Sequence, residues 1–146
     1  MMYMHHDLHC ACTVLRKASR AVTRLYDEAL EGSAMTIAQF ALLRNVARAE
    51  PVELSRLADA MVLDRTSLYR ALAPLERAGW VAVTAAGHGR AKRAALTEAG
   101  RKAMAETTPA WEAAQRRLVE RFGAADWDAL YDSLTGLAAL AQEPAR

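Results

Sequence analysis

The sequence predicts a mainly α-helical chain with one short β-hairpin. Three observations carry this. Apolar residues recur at helical spacing over most of the 146 residues, capping residues stand where those patterns begin, and the only clearly extended stretch straddles a Gly-rich turn.

The first helical pattern runs from Leu8 to Leu30, with apolar or small residues at Leu8, Ala11, Leu15, Ala18, Val22, Leu25, Tyr26, Ala29 and Leu30, and Gly32 as its stop. A second helix begins at Thr36, whose spacing to Gln39 is that of a capping box, and ends before Pro51. In a short third helix Leu54, Leu57, Ala58 and Met61 share one face. Val62 and Leu63 form a tight connection to Asp64, an N-cap for a fourth helix with the core stripe Leu68, Leu72 and Leu75 and its end at Gly79. Pro74 removes one backbone bond inside that helix and is expected to bend its last turn.

Two extended runs, residues 80–84 and 91–97, flank Gly87 and Gly89 and read as the hairpin. Thr97 caps a long fifth helix, expected to be interrupted at Pro109 and to end at Gly123. A sixth, from about Ala125 to Gln142, carries Trp127, Leu130, Leu134 and Leu137 along one stripe. Helices one, five and six have more apolar surface than the middle of the chain covers, so they are expected to pack on each other and on a second copy. Residues 1–35 and 98–146 are thus read as a helical dimerisation region, and residues 36–97 as a separate lobe.

An apolar fraction of 53% and a charged fraction of 25% belong to a globular chain rather than a disordered one. No apolar run approaches the roughly 20 residues that span a bilayer, so no membrane association is expected. The first residues carry His and Asp where a secretory signal carries Lys or Arg and then an apolar stretch, which makes the cytoplasm the expected compartment. There, two cysteines read as thiols, metal ligands or redox sensors rather than as a disulfide. No Ser/His/Asp grouping, paired-carboxylate motif or Gly-rich phosphate loop is present, so neither an enzyme nor a required cofactor is expected. The net charge of +2 matters less than its distribution: from Arg77 to Thr97 there is no Asp or Glu, while Arg77, Arg90, Lys92 and Arg93 all fall there.

Short helix, tight turn, second helix and basic hairpin make a winged helix-turn-helix arrangement, and the partner it implies is duplex DNA. With the leucine stripe buried, Arg65, Thr66, Ser67, Tyr69 and Arg70 face outward on the fourth helix. Arg65 and Arg70 reach guanine or phosphate, and Thr66 and Ser67 suit phosphate together with the N–H groups of the helix start. Arg90 at the hairpin tip suits the minor groove, with His88, Lys92 and Arg93 on the DNA backbone. A helical protein-interaction module is the alternative, and it leaves the basic hairpin unexplained.

The stretches "LSRLADAMVLDRTSLYRALAPLERAGWV" and "GRAKRAALTEAG" resemble the helix-turn-helix and the wing of the MarR family of bacterial transcription regulators. The resemblance implies a homodimer built from the N- and C-terminal helices, a palindromic operator, and repression relieved by a signal. His88 stands where the family's wing carries an Asp, so the acidic partner of the wing arginine, Arg90, is missing.

Three signals are open. "CTVLRKASRAVTRLY" is similar to the first helix of the organic hydroperoxide sensors of that family, which implies a reactive Cys12 with Tyr26 directed toward it; a second Tyr of those sensors is replaced by Arg16. A helix N-terminus lowers a thiol pKa and supplies the thiolate that a peroxide oxidises. A soft metal ion is the second signal. If the helix reached back to residue 5, His5, His9 and Cys12 would share one stripe, and His6, His9 and Cys10 a neighbouring one. Cys10 and Cys12 would point about 200° apart on a helix, so both would hold one ion only if its start is unwound. The third is a small phenolic ligand in a cleft lined by Tyr26, Phe40 and Trp111.

Overall fold

The computed structural model describes residues 9–85, 87, 89 and 91–144. His5, His6, His88 and Arg90 lie outside the described residues. The order is α1 (Ala11–Ala29), α2 (Ile37–Ala49), β1 (Val52–Glu53), α3 (Leu54–Ala60), α4 (Arg65–Arg77), β2 (Val81–Ala85), β3 (Lys92–Leu96), α5 (Glu98–Phe122) and α6 (Ala124–Ala141). This is the mainly helical winged helix-turn-helix arrangement read from the sequence.

Local chemistry explains most boundaries. The Thr36 hydroxyl accepts from the Gln39 N–H at 3.3 Å while the Gln39 side-chain Oε1 accepts from the Thr36 N–H at 3.0 Å, closing the capping box of α2. The Asp27 carboxylate accepts from the Ile37 N–H at 2.8 Å and ties the end of α1 to that start. Asp64 caps α4 through the Ser67 N–H at 2.7 Å. At the other end of α4, Gly79 adopts φ 78°, and the N–H groups of Gly79 and Trp80 return to the carbonyls of Glu76 and Leu75. That Schellman closure needs left-handed backbone, which glycine adopts without strain.

The turn between α3 and α4 closes the same way with a less suitable residue. The Val62 and Leu63 N–H groups bond the carbonyls of Asp59 and Ala58, and Val62 takes φ 54°. A β-branched side chain in that region is strained.

Three expectations need correction. The hairpin is part of a three-stranded antiparallel sheet in the order β1-β3-β2, with Val52 opposite Ala94 and Glu53 opposite Arg93. A two-residue strand has no period of its own, and only its distant partner makes it a strand. The second correction concerns α5, which runs through Pro109 without interruption. Ala103, Met104, Ala110 and Trp111 pack on the core along that stretch, and the Thr107 and Thr108 hydroxyls donate to the Ala103 and Met104 carbonyls one turn back. Third, α1 begins at Ala11 rather than Leu8, with Cys10 extended at ψ 118°. His and Cys are weak helix formers, and packing does not compensate, since residues 9–24 are all exposed.

Contacts divide the chain after Trp111. The first unit holds the core: Phe40, Leu42, Leu43 and Val46 of α2, Leu54 and Leu57 of α3, Leu68, Leu72 and Leu75 of α4, and Val81, Ala94 and Leu96 of the sheet. Gly100 on α5 lies so close to β2 that a Cβ there would collide with the Trp80 carbonyl oxygen. The Glu50 carboxylate joins three elements at the end of α2, accepting from the Leu96 N–H at 2.7 Å and pairing with Arg101. Burial raises the pKa of Glu50, but the Arg101 hydrogen bond, the Leu96 N–H and the Arg101 charge outweigh that and hold it below the ordinary value. The second unit contains the remainder of α5 and α6, where Trp127 and Tyr131 stack in a tilted pair 6.3 Å apart. None of the residues of α6 is buried. No helix among the described residues is long and apolar enough to cross a membrane.

Val62→Gly is expected to raise stability by about 1 kcal/mol, because strain of about 1–3 kcal/mol is relieved against about 0.5–1 kcal/mol of added chain entropy. Urea unfolding measures it, and a lower midpoint would contradict the strain. For Glu50, whose folded pKa is lowered, the stabilisation is present above the ordinary value of 4.5 and lost as pH falls through the folded value. Glu50→Gln is expected to flatten the acid-side fall of the thermal midpoint, and an unchanged slope would exclude Glu50 as its source.

Candidate nucleic-acid interface

Leu68, Leu72 and Leu75 are 1%, 0% and 0% exposed, and their burial decides what the opposite face of α4 presents. Arg65, Thr66, Tyr69 and Arg70 are exposed there, as expected. Ser67 is half-buried, and its N–H is already bonded to the Asp64 carboxylate. That donor is therefore not open to phosphate in this conformation, and the Ser67 hydroxyl and the Thr66 N–H are directed to the same carboxylate. Asp64 is held below the ordinary carboxylate pKa by the Ser67 N–H first, then by the Ser67 hydroxyl and the Thr66 N–H, so it stays ionised at neutral pH.

The wing cations are not equivalent. Arg93 is exposed but pairs across the sheet with Glu53 at 3.8 Å. Lys92 places its ammonium 5.9 Å from the centre of the Tyr69 ring. Between the starts of α3 and α4 and the base of the wing lies an open cleft of about 230 Å³, lined by Ser55, Arg65, Tyr69, Lys92 and also Glu53. Two cations and a hydroxyl on one cleft suit phosphate, and the adjacent α4 face suits base edges. Glu53 and Ser55 escaped the sequence reading. Ser55 opens the first helix of the helix-turn-helix, which is the available signal, whereas Glu53 becomes visible only once β1 is known to pair with β3.

The second candidate region is the start of α1. Cys10 and Cys12 are both free thiols and exposed. Cys10, but not Cys12, lines an open cleft of about 400 Å³ together with His9, Thr13, Val14 and Lys17. Cys10 makes no capping hydrogen bond of ordinary geometry. The Thr13 hydroxyl, then the Thr13 and Cys12 N–H groups, still favour its thiolate and lower its pKa. Arg16 is exposed on the same helix. Tyr26 is buried at 7% exposure, and burial raises its pKa. Fourteen residues along one helix separate it from Cys12 by about 21 Å, so the two do not meet within one chain.

The helical stripes expected for metal binding do not form as drawn, because His9 and Cys10 precede the helix. Extended backbone at Cys10 does meet the condition that the start be unwound. Among the described residues, no group of three or more His, Cys, Asp or Glu is placed to hold a metal ion. Of the side chains expected to line a ligand cleft, Phe40 and Tyr26 are core residues. Trp111 is half-buried and carries the Arg44 guanidinium 4.2 Å from its ring centre. Burial, then the charge of Arg48, lowers the Arg44 pKa.

Residues 35–86 match the family model described as the MarR family. Among solved structures, the chain is similar to the Mycobacterium tuberculosis transcriptional regulator MosR in complex with DNA, at 33% identity over 92% of this chain and 97% of that one, with a TM-score of 0.83. It is also similar to a MarR-family regulator from Rhodococcus sp. RHA1, at 24% identity over 86% and 89% of the two chains with a TM-score of 0.75. A third likeness is to CouR from Rhodococcus jostii RHA1 bound to p-coumaroyl-CoA, at 24% identity over 86% and 88% with a TM-score of 0.73. Among curated proteins, none matches the chain.

Arg65→Ala and Arg70→Ala, both at exposed positions, are expected to weaken duplex DNA binding without unfolding the chain. Each phosphate that a substitution leaves without its cation should reduce the salt slope of log affinity by about one. Fluorescence anisotropy across a salt series measures this, and unchanged affinity in both variants would rule out this face of α4.

Proposed function

The chain belongs to the MarR family and is a DNA-binding transcriptional regulator, and from that premise we propose that it acts as a homodimeric repressor on palindromic DNA, released when thiols at the start of α1 are oxidised. The single observation that carries the signal is Cys10: an exposed thiol at the N-cap of α1, two residues from a second exposed thiol. The thiolate attacks the terminal oxygen of a hydroperoxide, the O–O bond breaks, and the alkoxide leaves and takes up a proton as the alcohol. The sulfenic acid left on sulfur condenses with a neighbouring thiol and releases water. Cys10 rather than Cys12 is the better nucleophile in this reading, with Arg16 and Lys17 adding positive charge nearby on the chain.

The dimer reading rests on uncovered apolar side chains. On α1, Val14, Leu15 and Val22 are exposed, and on α6 so are Tyr131, Leu134, Leu137 and Leu140. A second copy is the partner that covers such rows with the least new chemistry, and two copies of α4 then meet two half-sites. A second reading of the signal has its own support. The half-buried guanidinium of Arg44 against Trp111 suits an aromatic anion, and CouR, of the same fold, binds an aromatic acyl thioester.

The test is release from operator DNA measured in parallel against an organic hydroperoxide, a soft metal ion and a phenolic acid. Hydroperoxide is expected to release the wild-type protein, Cys10→Ser to slow this more than Cys12→Ser at neutral pH, and the double variant to abolish it. Undiminished release of the double variant would sink the thiol reading. Release by metal alone would assign the His9, Cys10 and Cys12 region to metal sensing, and release by the phenolic acid that disappears in Arg44→Met would assign the signal to Arg44.

A further inference from the structure

Lys92 belongs to the inward row of β3. Residues of a strand alternate between faces, and Ala94 and Leu96 of that row are buried, facing Val83 and Val81 across the register. Lys92 is the next member, opposite Ala85 and just past the edge of the core. Its side chain therefore leaves the sheet on the α4 side, where its ammonium stands 5.9 Å from the centre of the Tyr69 ring. Arg93 points to the other face and pairs with Glu53. Two consecutive wing cations are thus committed to different elements, one to α4 and one to β1.

Tyr69 has little packing role of its own. It is 46% exposed, while Leu68 beside it is 1% exposed. Its ring lines the same cleft as Arg65 and Lys92. A lysine on a four-carbon stem explores many rotamers, and an aromatic face restricts where its charge resides.

We propose that Tyr69 is a positioning residue for the wing: its ring holds the Lys92 ammonium over the cleft that Arg65 also lines, so both cations meet one stretch of phosphate backbone. This rests on the DNA-binding reading and assigns Tyr69 a role other than reading bases. The distinction is measurable, because Tyr69 carries no charge. If it acts through Lys92, its removal must change the salt dependence of binding; if it touches DNA itself, it must not.

The experiment uses the full chain and a mixed-sequence duplex, with affinity measured across a salt series and folding checked by urea midpoint. Lys92→Met is expected to reduce the salt slope by about one. Tyr69→Leu is expected to reduce it in the same direction and to weaken binding about two- to fivefold, the range of an exposed cation–π contact. Tyr69→Phe, which keeps the ring, is expected to bind as the wild type does. The Tyr69→Leu, Lys92→Met pair together should bind no more weakly than Lys92→Met alone. Weaker binding of Tyr69→Leu at an unchanged slope overturns the proposal, as does Tyr69→Phe binding no better than Tyr69→Leu, or wild-type behaviour of Tyr69→Leu. Absence of any salt-dependent duplex binding by the wild-type protein is a separate result, and it overturns the DNA reading beneath the proposal as well.

Discussion

The direction in which α4 faces follows from Leu68, Leu72 and Leu75, which share one core with Phe40, Leu43, Val46 and Leu57. Each such side chain contributes about 1.5–3 kcal/mol on burial, so turning the helix by one position would forfeit several kcal/mol and bury Tyr69 or Arg70 instead. The exposed face inherits its orientation from that constraint. Substitutions there leave that core packing in place. The wing has a second, independent anchor: Glu50 fastens the end of α2 to the Leu96 N–H of β3 and to Arg101 of α5. Hydrophobic burial orients α4 and seats the sheet through Val81, Ala94 and Leu96, and the Glu50 carboxylate adds a polar tie to that sheet.

How much of this the sequence disclosed depends on the range of each interaction. The Thr36–Gln39 box, the Asp64 cap, the leucine stripe and the stop at Gly79 all act within one or two helical turns, and spacing alone displays them. The Thr97 cap on the Gly100 N–H at 3.0 Å is of the same kind. Interactions that close over long sequence separations were invisible. Glu50 meets Leu96 across 46 residues, and β1 exists only through β3. At the candidate sensor the cysteines were evident from composition, but the preference for Cys10 follows from where α1 actually begins. Tyr26 fits a sensor pattern by position, yet the fold spends it on the core.

The charges of the interface are more local than a basic segment suggests. Asp64 sits at the start of α4, bonded to the Ser67 N–H, and Glu53 pairs with Arg93 at the base of the wing. With a net charge of only +2, the chain has little long-range field with which to attract a polyanion. Attraction to DNA then depends on where a few cations are held rather than on how many there are. On the proposed reading of α4 and the wing, the geometry of Arg65, Arg70 and Lys92 matters more than their number.

The close approach at Gly100 has a mechanical side. The Trp80 carbonyl stands against the α5 backbone at Gly100, and the Thr97 hydroxyl donates to the Gly79 carbonyl, so the junction of α4 and β2 is fastened directly to the first turn of α5. Any side chain at position 100 would have to push these two backbones apart, so the spacing between the base of the wing and α5 is set by that glycine.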